Sequence, residues 1–234
     1  KDEKTFPVIR ECTYLRFLLN AYAQGKMLWG QHTYDYFDNH KHFQQFNKEI
    51  IDKYFNHVYN RFGPDKILVH KHPGLIQYFP ELDELYPNQC KFIVMLRDPR
   101  DTLSSLLKIK RQENIQAPKL LQEYLDCYYR CFTKMKNNDN LLIIRFEDLV
   151  FNTEDIMNQL RSFTNLELYI NPLQDSWQSR RSGDSRYLSE YDGKPIDSSV
   201  VGNYQLTDNE LYLINNNRKQ LVEYLGIDPF YEKE

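Results

Sequence analysis

The amino-acid sequence predicts an α/β fold of three layers, in which helices cover both faces of a central parallel sheet. One observation is that short apolar segments alternate with longer amphipathic segments along the 234 residues. A second is that residues 92–96 and 141–145 are apolar almost throughout, which is typical of strands buried on both faces. The length suits one sizeable domain, so we predict a single domain spanning residues 1–234.

Local patterns set the individual elements. Short apolar segments are predicted as strands, at residues 5–9, 66–69, 92–96 and 141–145. Segments with apolar residues at helical spacing are predicted as helices, at residues 13–24, 49–62, 75–85, 102–112, 117–135, 153–163 and 206–225. We expect Gly25, Gly63 and Gly226 to end three of these helices, and Thr207 or Asp208 to cap the last one. Residues 32–48 and 171–205 show too little periodicity to predict an element.

Composition excludes several classes of protein. The formal net charge of −3 argues against a general nucleic-acid-binding protein, which normally carries a basic excess. No apolar stretch approaches the roughly 18 residues that cross a bilayer, and KDEKTFPVIRE lacks the apolar core of a secretory signal. The four cysteines, at positions 12, 90, 127 and 131, form no CxxC pair, which favours reduced thiols over disulfides or a zinc site. We therefore expect a cytoplasmic protein that has no metal site and binds neither nucleic acid nor membrane.

The most informative segment is KFIVMLRDPRDTLSS, where an apolar strand runs into a cluster of charges and hydroxyls. Arg97 leaves this strand as a permanently charged planar fork that suits phosphate oxygens. Asp101 or Thr102 is expected to cap the next helix, which would place Ser104 and Ser105 in its first turn. Backbone N–H groups at that end of a helix attract anions. The sequence therefore predicts that Arg97 and the serines meet at one phosphate-sized site.

The same charges also allow a purely structural arrangement. In that alternative, Arg97 or Arg100 forms an ion pair with Asp98, Asp101 or Glu147, and no ligand is involved. An isolated RDPRD segment favours this second interpretation.

Polar segments also follow the other predicted strands, and this repetition favours a binding site. Together with Arg97 to Ser105, they are the turn near Arg10, the residues His70 to Pro73 (HKHP), and the residues Phe146 to Asp148 (FED). Ligands of open α/β sheets bind beyond the carboxyl ends of the strands. We therefore expect these segments to line one crevice.

Four stretches resemble, in the same order, segments of sulfotransferases that use 3′-phosphoadenosine 5′-phosphosulfate (PAPS). RDPRDTLSS after FIVML resembles the segment that binds the 3′-phosphate of PAPS. LVHKHP resembles the strand and KTP or KTH turn that carries a catalytic lysine and histidine. LLIIRFEDL is similar to the strand and YEDL turn of the family, and GKPIDSSVVGNYQ is similar to a late loop that closes over the nucleotide. The resemblance implies a P-loop nucleotide-like fold of the sulfotransferase type.

The resemblance also implies the catalytic residues. Lys71 matches the lysine of the KTP turn and would contact the transferring sulfuryl group. His72 stands at the histidine of the KTH version and would be the general base. His70 is a second candidate, because HKHP aligns with either version.

The nucleotide-binding residues follow in the same way. Arg97 and Ser105 would hold the 3′-phosphate, and Phe146 stands where the family often has an adenine-stacking tyrosine. Ser199 and Gly202 would belong to the closing loop, in which Asn203 departs from the arginine frequently found there.

The first loop departs from the family pattern. A phosphosulfate loop of the type PRSGTTWL is expected, but the chain reads FPVIRECTYL, and the glycine is absent. One interpretation is a degenerate loop in which Arg10 and Thr13 bind the donor. The other, which we favour because strand and helix patterns are intact on both sides, is that a glycine-containing segment is missing between Ile9 and Thr13.

The resemblance implies transfer of a sulfuryl group from PAPS to a hydroxyl or amine of a small-molecule acceptor, with adenosine 3′,5′-diphosphate (PAP) as product and no metal. Residues 26–48 and 176–201 would shape the acceptor pocket, and their tyrosines and histidines suit a small polar or aromatic metabolite. A homodimer is left open. The alternatives are a P-loop kinase-like phosphotransferase and a non-catalytic domain that binds a nucleotide or a partner.

Overall fold

The computed structural model describes residues 12–63, 67–110, 116–168 and 198–232. The predicted strand at residues 5–9 lies outside these ranges. The chain divides into two compact units: an N-terminal unit of Glu3–Phe92 and Cys127–Leu141, and a C-terminal unit that includes Ile93–Asp126 and Leu142–Glu234. That the chain forms a single domain stays a prediction. None of the helices in the described ranges has the length and apolar content that crossing a bilayer requires.

The N-terminal unit begins with helix α1, Thr13–Met27, which buries Leu15, Leu19 and Tyr22. The helix continues past Gly25, so the prediction that this glycine ends it is wrong. A Cβ atom at Gly25 would overlap the ring of Phe43, which itself is buried. Gly25 is therefore a residue of close packing between helices, and its backbone stays helical.

Helix α2, His40–Phe62, begins well before the predicted residue 49. Its start is capped by Asn39, whose side chain accepts a hydrogen bond from His42 N at 3.0 Å. Aromatic side chains before and within its first turns pack on one another, as Phe37 does edge-on against Phe43 at 4.9 Å between ring centroids. These aromatic contacts obscure the helical period in the sequence. The helix ends at Gly63 as predicted, with φ of 110°.

The segment that follows differs from prediction in two respects. Within the described part of the predicted strand 66–69, only Ile67 forms a bridge, and it is isolated. The predicted helix at residues 75–85 is a 3₁₀ turn, Pro73–Tyr78, followed by α3, Phe79–Leu85. Pro80 has no N–H to donate to a preceding carbonyl, so it stands in the first turn of a new helix.

Two strands, β1 (Phe92–Leu96) and β2 (Leu141–Arg145), pair in the described sheet, and both have the predicted bounds. Phe92 N donates to Asn140 O at 2.7 Å, so the strand starts lie side by side and the pair is parallel. The prediction that β1 is buried on both faces is wrong, because Ile93 and Met95 are 40% and 39% exposed. An apolar run does not reveal which face the helices cover.

The remaining helices are α4 (Pro99–Lys110), α5 (Ala117–Met135), α6 (Phe146–Phe151), α7 (Thr153–Thr164), α8 (Asp208–Asn216) and α9 (Arg218–Leu225). All of them belong to the C-terminal unit except the second half of α5, which belongs to the N-terminal unit. The single helix predicted at residues 206–225 is divided at Asn217. Thr207 and Glu210 form a capping box at the start of α8, and Gly226, with φ of 66°, ends α9.

Candidate active site

Arg97 follows the buried end of β1 and contacts the late loop, a name used here for residues 198–205. Its Nη2 donates to Val200 O at 2.9 Å, and its guanidinium carbon lies 4.8 Å from the ring centroid of Phe146. Phe146 directly follows β2, so parallel pairing brings both residues to the same edge of the sheet. Arg97 Nε is buried and has no hydrogen-bond partner among the described residues. One donor of the fork is therefore left for an acceptor.

Asp98 caps helix α4. Its backbone carbonyl accepts Thr102 N at 2.9 Å, and its side chain accepts Arg100 N at 2.7 Å. These are the bonds of an N-cap residue, and Pro99 occupies the first helical position, which needs no N–H. The prediction that Asp101 or Thr102 caps this helix is therefore wrong.

The earlier start of α4 changes the place of both serines. Ser104 and Ser105 lie in the second turn, so their backbone N–H groups are not among those left over at the helix start. The prediction that they lie in the first turn is wrong for this reason. Ser104 is buried, and its Oγ accepts Gln205 N of the late loop at 2.8 Å. Ser105 is exposed.

Asp101 provides another contact to the late loop. Its Oδ2 accepts Gly202 N at 2.9 Å and lies 3.9 Å from Arg97 Nη2. The carboxyl is buried, which raises the pKa of Asp101, while the Gly202 N–H and the Arg97 charge favour the ionised form. Three hydrogen bonds thus join the late loop to α4 and the turn before it. Arg97 donates one of them, and Asp101 and Ser104 each accept one.

Arg100 forms the ion pair that the purely structural interpretation predicted. Its guanidinium forms a two-pronged pair with Asp98, with Nη2 to Oδ2 at 2.7 Å and Nε to Oδ1 at 3.1 Å. The same Nη2 donates to Tyr231 O at 2.7 Å. Glu147 completes this network by accepting Asp98 N at 2.9 Å. Glu147 is fully buried, and burial raises the pKa of its carboxyl.

The turn after residue 70 lies in the N-terminal unit. Lys71 is exposed, and its carbonyl accepts Cys12 N at 3.2 Å. His72 caps the 3₁₀ turn, because its Nδ1 accepts Gly74 N at 3.0 Å. An accepting ring nitrogen carries the lone pair, so the neutral ring holds its proton on Nε2. Proton acceptance at Nε2 would require the other tautomer and loss of the bond from Gly74.

His70 lies in a different environment from His72. Both of its ring nitrogens are buried and have no hydrogen-bond partner among the described residues. The ring lies 6.0 Å from the centroid of Tyr54 and 5.7 Å from that of Phe55. Burial lowers the pKa of His70, which favours the neutral imidazole.

The chain is continuous from Ile9 to Thr13, so the hypothesis of a missing glycine segment is wrong and the first loop is degenerate. Arg10 lies outside the described residues. Cys12 is buried and stands at the N-cap position of α1, but its side chain makes no capping hydrogen bond. Thr13, the first residue of α1, is exposed.

The structure shows contacts that the sequence did not predict, made by residues to which the sequence had given other roles. Asp101 and Ser104 hold the late loop, and Glu147 holds the turn after β1. Each of these contacts joins residues far apart in the chain, and no local pattern reports them. Only the polar character of the segments after the strands gave a signal.

The described fold has a parallel sheet with helices beside it and polar residues after its strands. These features are typical of α/β proteins that bind ligands at the carboxyl edge of the sheet. Within that class, residues 8–170 match the model of the sulfotransferase family. The chain belongs to the sulfotransferase family and is therefore a transferase, as the resemblance implied.

One solved structure, a "Sulfotransferase Domain from the Curacin Biosynthetic Pathway", is similar to this chain. The TM-score is 0.52 at 17% sequence identity, and the match covers 90% of this chain and 78% of that chain. At this identity the likeness concerns the fold alone, and it confirms the predicted α/β fold. No curated protein sequence matches this chain significantly.

Proposed function

We propose that this sulfotransferase transfers the sulfuryl group of PAPS to a hydroxyl or amine of a small-molecule acceptor. The observation that carries the proposal is the position of Arg97 after β1, with one buried donor available and the Phe146 ring beside it. Guanidinium forks bind phosphate oxygens in pairs of hydrogen bonds, and adenine stacks on aromatic rings.

In this proposal the C-terminal unit binds the adenosine 3′-phosphate end of the donor. Arg97 binds the 3′-phosphate, with its free Nε and with the Nη2 that otherwise donates to Val200 O. Ser105 is exposed on the same helix and adds a hydroxyl. Phe146 stacks on the base, and Ser199 and Gly202 of the late loop close over the nucleotide.

The chemical step involves residues of the HKHP turn. The acceptor oxygen or nitrogen attacks sulfur, the bond between sulfur and the bridging oxygen breaks, and PAP leaves with the electron pair of that bond. The acceptor proton passes to an imidazole, and Lys71 neutralises charge on the sulfuryl oxygens. His72 is the first candidate for that base and His70 the second. Which histidine acts depends on the tautomer of His72. Its Nδ1 accepts the Gly74 N–H, so Nε2 can take a proton only after that hydrogen bond is lost.

The acceptor proposal rests on the aromatic residues between α1 and the first turns of α2. Trp29 stacks on His40 at 4.0 Å between centroids, and Tyr34 and Tyr36 are 54% and 78% exposed. Exposed aromatic faces of this kind suit a small polar or aromatic acceptor. A cytoplasmic location is part of the proposal because all four cysteines are free thiols.

The experiment that tests the function is incubation with PAPS labelled in the sulfuryl group and pooled small phenols, alcohols, amines and sugars. Appearance of label in an acceptor, with release of PAP, supports the proposal. A thermal-shift comparison adds a direct test of the nucleotide. Stabilisation by ATP with magnesium, and none by PAP, would instead favour a kinase-like phosphotransferase. Stabilisation by neither nucleotide would favour a non-catalytic domain.

A further inference from the structure

Arg16 lies one turn into α1, against the turn that carries Lys71 and His72. A Cβ atom built on Gly74 would lie 3.1 Å from Arg16 Nη1 and 3.5 Å from His72 Cε1. The end of the guanidinium and the edge of the imidazole thus both lie within 3.5 Å of one point, where a side chain at position 74 would crowd the guanidinium. The arginine is therefore positioned beside the proposed catalytic residues.

No acidic partner within the described parts of the chain accounts for this position. Arg16 Nε is buried and has no hydrogen-bond partner among the described residues, and no carboxylate in those ranges forms an ion pair with the guanidinium. The guanidinium carbon of Arg16 lies 5.3 Å from the ring centroid of Phe17. A half-buried guanidinium stays charged at every physiological pH. A buried donor without an acceptor is unfavourable and calls for an explanation.

The degenerate first loop supplies such an explanation. In this chain Cys12 stands where a glycine is expected, so the backbone has lost the freedom to form a cradle of N–H groups. Cys12 N, the amide at the start of α1, is already donating to Lys71 O at 3.2 Å. A side chain would then be a further source of donors for the 5′ end of a nucleotide.

We propose that Arg16 binds the 5′-phosphate end of the donor, in a chain whose first loop has no glycine at the expected position. This inference rests on the proposed use of PAPS. The planar fork of Arg16 would donate to oxygens of the 5′-phosphosulfate, next to the turn that positions Lys71 and His72. Gly74 is part of the same arrangement, because a side chain there would displace the guanidinium.

The test separates the two ends of the nucleotide by calorimetry. Wild-type protein, Arg16→Ala and Arg16→Gln are titrated with adenosine 3′,5′-diphosphate and with adenosine 3′-monophosphate, which lacks the 5′ group. Arg16→Gln keeps most of the aliphatic part of the side chain, and it replaces Arg16→Ala in the test if the alanine variant does not fold. The preference is the ratio of the affinity for the diphosphate to the affinity for the monophosphate. We expect this ratio to fall by about tenfold or more in both variants, the usual effect of losing a charged hydrogen bond. Affinity for the monophosphate should stay within about twofold.

Two controls separate this inference from the proposed function. Lys53→Ala removes one exposed positive charge from the same unit and should leave both affinities unchanged. Arg97→Ala should weaken both nucleotides alike. An unchanged preference in the Arg16 variants, or an equal loss for both nucleotides, would overturn the role of Arg16 alone. Failure of the wild type to bind either nucleotide would overturn the use of PAPS and the role of Arg16 with it.

Discussion

Arg97 Nη2 donates a hydrogen bond to the backbone carbonyl of Val200 at 2.9 Å, so the residue that follows β1 holds the late loop directly. A phosphate oxygen is a stronger acceptor for guanidinium than a neutral carbonyl. Binding of a 3′-phosphate would therefore compete with Val200 for the same donor. Since Gly202 and Gln205 are held separately by Asp101 and Ser104, the loop would remain attached during this exchange.

Replacement of Arg97 should weaken nucleotide binding. Arg97→Ala removes the fork and its unpaired Nε, and we expect about a tenfold to hundredfold loss of affinity for PAP, measured by calorimetry. Lys119→Ala is the control, because Lys119 is an exposed cation of the same unit. Unchanged affinity in Arg97→Ala would contradict the assignment of Arg97 to the 3′-phosphate.

The two serines of α4 should have different roles. Ser104→Ala removes the acceptor of Gln205 N, and we expect faster hydrogen exchange at Gln205, by about three- to tenfold for a bond of typical strength. Ser105→Ala should leave that exchange rate unchanged and weaken PAP binding. The contacts described for the late loop would be wrong if Ser105→Ala, and not Ser104→Ala, accelerated the exchange.

His72→Asn separates catalysis from local structure. An asparagine oxygen can accept Gly74 N–H as Nδ1 does, so the 3₁₀ turn should persist, but no proton can be taken from the acceptor. We expect turnover to fall by about 10²- to 10⁴-fold with PAP affinity retained. His70→Asn is the matched variant. Full turnover by His72→Asn together with loss in His70→Asn would assign the base to His70.

Glu147 should make stability depend on pH. Burial raises the pKa of this carboxyl above its ordinary value of 4.5, so the folded state binds the proton more tightly than the unfolded state. Its contribution to stability is present below that ordinary value and is lost as pH rises through the raised pKa. Glu147→Gln keeps an acceptor for Asp98 N and removes the titration. We expect a smaller fall in urea midpoint between pH 4.5 and 8 than in wild type; an equal fall would refute this account.

Gly25→Ala should be destabilising although it lies within a helix. Alanine normally stabilises a helix interior by about 1 kcal/mol relative to glycine, but here the added methyl group would overlap Phe43. We expect a net loss of about 1–3 kcal/mol in the free energy of unfolding, measured with urea. Gly30→Ala is the control, since nothing lies within 4 Å of its added Cβ. A more stable Gly25→Ala would show that this packing is looser than described.

The sequence predicted elements best where apolar runs are bounded by charge or glycine. Both strands of the described sheet and α5 have the predicted bounds, and the alternation of strands and helices gave the fold class. Where aromatic residues pack laterally, as between Phe37 and Phe43, the helical period was hidden and the start of α2 was missed. Proline and asparagine at positions 80 and 217 divided predicted helices, because backbone hydrogen bonding rather than hydrophobic period decides continuity.

For the candidate site, sequence patterns predicted which segments matter better than which atoms interact. Arg97 and Phe146 were assigned to the same edge of the sheet, where the structure has them in contact. The partners of Arg97 and Asp101 lie about a hundred residues away in the chain, and no local pattern could predict them. The serine prediction depended on the start of α4, and one cap at Asp98 moved both serines by a turn.

The backbone at Gly202, with φ of 71° and nothing within 4 Å of an added Cβ, sets a rule for redesigning this enzyme. The constraint there is torsional, so any L-residue introduced at that position would be strained despite the open space around it. Exposed Ser199 and Asn203, on either side, carry no such restriction. Variants of this loop should therefore keep the glycine at position 202 and place substitutions at position 203 first.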